Sequence, residues 1–137
     1  MAEDNVELVR RAYLAANRKP VPDIETLTEL FAIDHLLSTD WGAGDGEEYR
    51  GMEGFQRVMA ENAELWEDFS NEVEHAVDAG DERVAVVIRA RGRGKSSGAP
   101  VDRLVGAVIT IRDGQIASTE YHSEPADAFA AAGLGPP

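Results

Sequence analysis

VGAVITIRDGQIASTEYH, residues 105–122, consists of two alternating runs, Val105–Arg112 and Gln115–His122, joined by Asp113-Gly114. An Asp-Gly pair tolerates the positive φ angles of a two-residue hairpin turn, so the segment predicts two antiparallel strands. A two-residue register sets Val108 opposite Thr119 and Gly106 opposite Tyr121. Asp102, Leu104, Gly106, Val108, Thr119, Tyr121 and Ser123 then share one face, and Val105, Ala107, Ile109 and Ile111 form an apolar stripe on the other. Upstream, Phe69, Val73, His75, Val77 and Ala79 alternate with Ser70, Glu72, Glu74 and Asp78. With Gly80-Asp81 as the turn, Val77 faces Val84, His75 faces Val86 and Val73 faces Ile88. On the opposite face Asp78 meets Arg83 and Glu72 meets Arg89, so both faces agree in polarity.

The first half of the chain has the helical period instead. Asp4 and Glu7 form a capping-box-like pair, followed by Val6, Val9, Tyr13 and Ala16 at helical spacing. Pro20 and Pro22 break that helix. A second begins after Asp23 with Ile24, Leu27, Leu30 and Phe31 inward, and a short strand is expected over Leu36 to Thr39. Trp41 to Gly46 reads as a loop beside a site. A third helix from Gly51 carries Phe55, Met59, Ala63 and Trp66. Glu124-Pro125 stops the last strand, and Ala126 to Ala132 predicts a closing helical turn ended by Gly133. Helices first and strands second, without a linker or repeat, predict one α+β domain over residues 1–137.

The totals restrict the partners. Thirteen Lys and Arg against 26 Asp and Glu give a formal net charge of −13, which disfavours nucleic acid and anionic membrane surfaces. No cysteine is present, excluding disulfides and thiolate chemistry. The acidic start, Met1-Ala2-Glu3-Asp4, is unlike a secretory signal, and no apolar run approaches the ~18 residues of a membrane span, so the expected location is cytoplasmic.

Six stretches together resemble the SnoaL-like family of the nuclear transport factor 2-like superfamily. They are Asn5 to Tyr13; Tyr49-Arg50-Gly51 with Phe55; Gly80 to Val84; Gly92 to Gly98; Ile111 to Ile116; and Ala130 to Leu134. Their order and spacing cover nearly the whole chain. The resemblance implies a cone, with N-terminal helices packed on the concave face of a curved, mainly antiparallel sheet around an apolar cavity. It also implies a homodimer formed through the convex face, for which the stripe from Val105 to Ile111 is the expected surface. The chain departs from the family between its first two helices, where Asn17 is followed by Arg18, Lys19 and two prolines.

By likeness to the ketosteroid isomerase branch, Tyr13 maps onto a tyrosine donor to an enolate and Asp102 onto a protonated acid; that enzyme is itself the standard example of a carboxylic acid kept neutral by an apolar site. The plain alternative makes Tyr13 a core aromatic and Asp102 a strand-end charge paired with an arginine. The position matching the family's base is Thr39, with the aspartate one place later at Asp40, which reads either as a base at the cavity mouth or as a solvated carboxylate. Trp41, Leu104, Val108 and Tyr121 are the expected ligand contacts, Gly106 leaving room for the Tyr121 ring.

His35, His75 and His122 have no paired-ligand spacing, so neither a metal nor another cofactor is expected. Gly94-Lys95-Ser96 lacks the glycine a phosphate loop needs at position 89. Three functions fit: a cofactor-independent isomerase or cyclase transferring protons on a hydrophobic carbonyl compound, a non-catalytic binding protein for an apolar ligand, or an association module.

Overall fold

The amphipathic N-terminal stretch folds as α1 (Ala2–Ala16), beginning ahead of the Asp4–Glu7 pair, and buries Val9, Ala12 and Tyr13. The computed structural model describes residues 2–40 and 47–137, with side chains from residue 5 onward. After the prolines, Asp23 caps α2 (Ile24–Leu30) by accepting the Thr26 N–H at 3.2 Å, satisfying one of the donors that a helix start leaves open. The chain turns at once into β1 (Phe31–Thr39), longer than the predicted strand. Next come β2 (Glu48–Arg50) and α3 (Gly51–Leu65), which buries Phe55 and Val58. Four further elements are strands: β3 (Trp66–Gly80), β4 (Arg83–Gly94), β5 (Pro100–Arg112) and β6 (Gln115–His122). Pro125–Ala131 forms the closing helix, α4.

The six strands make one curved, unclosed sheet in the order β2-β1-β6-β5-β4-β3. Among the described residues only the β1–β6 pair is parallel. The main core lies between this sheet and α1, α2 and α3, and includes Val84, Val86, Ile88, Val105, Ala107 and Ile109. A smaller cluster on the other face joins Ala85, Val87 and Val108 to Ala128 and Phe129 of α4. Asn17 ties α1 to the edge strand: its Nδ2 donates to the Asn71 carbonyl at 2.5 Å, and its Oδ1 accepts the Asn71 N–H at 3.2 Å.

Strand irregularities correct several expected faces. Between β5 and β6 the pairing runs Ile111↔Ile116 and then Thr110↔Ser118, leaving Ala117 without an opposite residue. One extra residue flips everything beyond it. Tyr121 therefore pairs with Ala107, and Gly106 with His122. The stripe from Val105 to Ile111 faces the helices, being buried in the main core, and is not the outer surface expected for a dimer. Gly106 makes room for α4: a Cβ there would lie 2.6 Å from Ala128 Cβ and 2.9 Å from Pro125 Cα.

The β3–β4 hairpin is corrected near its turn. The turn is Asp81-Glu82, and Val77 pairs with Ala85 and Asp78 with Val84. Further along, Val73↔Ile88 and Glu72↔Arg89 pair as expected. Glu74 is bulged between Val73 and His75, so Val73 packs on the main core while Val77 and Ala79 pack on the α4 side. His75 stacks there against Phe129, with ring centroids 6.4 Å apart.

Candidate functional site

The concave side of the sheet holds a cavity of about 290 Å³, at the small end of the ~300–1,000 Å³ range of ligand pockets. Its walls carry aromatic rings from three helices or helix ends and from the sheet: Tyr13, Phe31, Phe55, Trp66, Phe69 and Tyr121. Ile109, Ile116 and Thr119 also face it, and Arg18, Lys19 and Asp68 border it from the α1–α2 connection and the start of β3.

Tyr13 and Tyr121 meet inside this space, their hydroxyls 2.6 Å apart. Tyr13 is directed by its place on the buried stripe of α1, and Tyr121 by the Ala117 bulge. Burial raises the Tyr13 hydroxyl well above the usual tyrosine range, and the charge and hydrogen bond of Tyr121 add to the effect. Tyr121 is pushed up to about 12 by burial, opposed by the bond with Tyr13. Both hydroxyls are therefore protonated at neutral pH, and only one of their two hydrogens is spent between them. The other remains for a further acceptor.

His35 lies behind the cavity wall, fully buried and stacked on Phe31 with ring centroids 4.3 Å apart. Its Nε2 is 3.0 Å from Thr119 Oγ1, while Nδ1 has no partner among the described residues. Burial pushes its pKa down to about 4, against a smaller opposing effect from Asp34.

Other expected site residues fall elsewhere. Asp102 is on the outer face, where its carboxylate accepts from Arg89 Nη1 at 2.8 Å and is 54% exposed. The sheet stands between it and Tyr13, so the two do not form a donor pair. The cause is the face of β5: Asp102, Leu104 and Val108 alternate with the buried residues that line the core. Leu104 is 41% exposed, and Val108 packs under α4. Asp40 is exposed, with Oδ1 accepting the Ser123 N–H at 2.5 Å, whereas Thr39 borders the cavity. Trp41 lies outside the described residues. His122 bonds Glu120 at 2.5 Å.

Cavity residues that sequence reasoning missed include Thr119, backed by His35, and the aromatic pair Trp66 and Phe69 at the start of β3. His35 sits in the irregular part of β1, between the pairings Phe31↔Ile116 and Leu36↔Ser118, where alternation gives no guide to direction. Among the described residues, no three His, Cys, Asp or Glu side chains are grouped so as to hold a metal ion. None of their helices is long and apolar enough to cross a membrane.

A helix-covered, half-open sheet with an aromatic cavity on its concave face defines a cone-shaped α+β pocket protein. The chain belongs to the SnoaL-like domain family, whose pattern it matches over residues 9–119. Among solved structures, it is similar to a nuclear transport factor 2-like protein from Burkholderia xenovorans, with 25% identity, TM-score 0.72, and 96% of this chain and 97% of that one covered. It is also similar to Bal32a from a soil-derived mobile gene cassette, with 26% identity, TM-score 0.71 and coverage of 88% and 89%. A Catenulispora acidiphila protein with a ketosteroid isomerase-like fold, solved in complex with trimethylamine, shares the fold at 23% identity, TM-score 0.71 and 93% coverage of each chain. No curated protein matches the chain.

Proposed function

We propose that this protein binds a small, apolar, oxygen-bearing molecule in the concave cavity, the Tyr13–Tyr121 pair donating a hydrogen bond to its oxygen. The tyrosine pair carries the reading. The hydroxyls of buried Tyr13 and half-buried Tyr121 share one hydrogen bond in an aromatic chamber, and the spare O–H gains most from a ligand acceptor where the ligand displaces water. The trimethylamine complex of the Catenulispora acidiphila neighbour supports a small-molecule role for cavities of this fold.

The catalytic form of the proposal is a cofactor-independent isomerase or cyclase, with the tyrosines stabilising an enolate. Such a reaction needs a base within reach of the substrate. Among the described lining residues the one carboxylate is Asp68, exposed at the cavity's edge. That observation favours binding over proton transfer. A homodimer in the cytoplasm belongs to the same proposal and is supported by family likeness.

Calorimetric titration with 1-tetralone, an apolar ketone, and with naphthalene, its oxygen-free counterpart, tests the reading. Tyr121→Phe should weaken 1-tetralone binding ~3–10-fold, the worth of one hydrogen bond, and by more than it weakens naphthalene. Equal losses for both probes would remove the donor role. Deuterium uptake at the carbon beside the 1-tetralone carbonyl separates the two forms. Binding alone leaves uptake at the buffer rate, whereas an isomerase accelerates it in a Tyr13-dependent way.

A further inference from the structure

We infer that Thr119, held by His35, is a second hydrogen-bond donor of the cavity, so that the ligand is an apolar ring compound carrying two acceptor oxygens. The inference rests on the pocket reading above and names its ligand class. His35 is fully buried, and among the described residues its one polar partner is Thr119 Oγ1, 3.0 Å from Nε2. A neutral imidazole carries one N–H. Placed on Nδ1, that hydrogen would be a buried donor without an acceptor, since nothing among the described residues bonds that atom; such orphaned N–H groups are rare and costly. Placed on Nε2, it is donated to Thr119. The burial that lowers the pKa of His35 keeps the ring in its neutral form near pH 7.

The threonine hydroxyl then accepts from behind the wall, and its own hydrogen has no partner among the described residues. Thr119 lines the cavity, and in this assignment that hydrogen points into the ligand space. Its place on β6 fixes the spacing. Thr119 pairs with Ile109 and Tyr121 with Ala107, so both point inward from positions two residues apart, roughly 6.5–7 Å along the strand. The threonine oxygen stays near the sheet, while the tyrosine oxygens stand a ring's length above it. Two donors at different depths, with aromatic walls between them, match oxygens at opposite ends of one ring system.

Calorimetry with 1-tetralone, which has one oxygen, and 1,4-naphthoquinone, which has two at opposite ends, tests the assignment. The wild type should bind the quinone ~3–10-fold more tightly. Thr119→Val should abolish that advantage, and Thr119→Ser, which keeps the hydroxyl, should restore it. In nitrogen-15 spectra at pH 7.5, His35 should appear as the neutral Nε2–H tautomer, a signature that a packing role alone does not require. A quinone advantage that survives Thr119→Val, or an Nδ1–H tautomer, would overturn the inference. These results are separable from failure of the pocket reading. If neither probe binds the wild type, the pocket reading falls and this inference with it. If tyrosine-dependent binding persists with a quinone preference independent of Thr119, only this inference falls.

Discussion

A buried neutral imidazole links His35 to the pH range in which the fold is stable. Its pKa is about 4 in the folded chain, against 6.5 when exposed. The unfolded chain therefore takes up a proton at a pH where the folded chain does not. The stability due to a neutral His35 is fully present above about pH 6.5 and is lost as pH falls from there towards 4. Between pH 7.5 and pH 5, urea unfolding should show a loss of roughly 2 kcal/mol. His35→Gln should flatten that slope; an equally steep slope in the variant would mean that another group is responsible. Legibility at this scale was uneven. Tyr13 was readable because a helical stripe fixes its direction. Asp102 was not, because the face of β5 depends on a pairing several residues away, and its carboxylate found Arg89 on the outer surface.

Two single-residue bulges account for most of what the elements concealed. Ala117 and Glu74 each stand without an opposite residue, and neither is a glycine or any other residue that announces an irregular strand. Alternation was read correctly within each run, and it failed where a bulge intervened. The existence of the hairpins, the Asp113-Gly114 turn and the start of α2 after Asp23 were legible from turn and capping chemistry. Gly106 gained its meaning only with the true register, as the place where α4 meets the sheet. Gly106→Val should cost ~1–3 kcal/mol in urea unfolding by driving α4 off β5. A variant as stable as the wild type would show that α4 does not sit there.

For the whole molecule, the switch from helical to alternating period and the helices-then-strands order were enough to indicate an α+β domain, and the cone followed from the family resemblance. The full strand order was beyond local reading: the Asp113-Gly114 turn sets β5 beside β6, but no pattern within β6 tells that β1 flanks its other edge. The proposed homodimer needs a surface other than the stripe from Val105 to Ile111, because that stripe is core. Light scattering at micromolar concentration should give twice the 14.8 kDa chain mass, and the chain mass alone would sink the proposal. β6 is inserted between β1 and β5, although β1 is made early and β6 late. During synthesis β1 must wait for its parallel neighbour until residues 115–122 have left the ribosome, with one long edge open to other chains. Tyr121 arrives on that same strand, so the chamber acquires its second hydroxyl only as the sheet is completed. A nascent chain halted before β6 therefore has neither a finished sheet nor a ligand site, and ligand added during translation can rescue only chains that have passed that point.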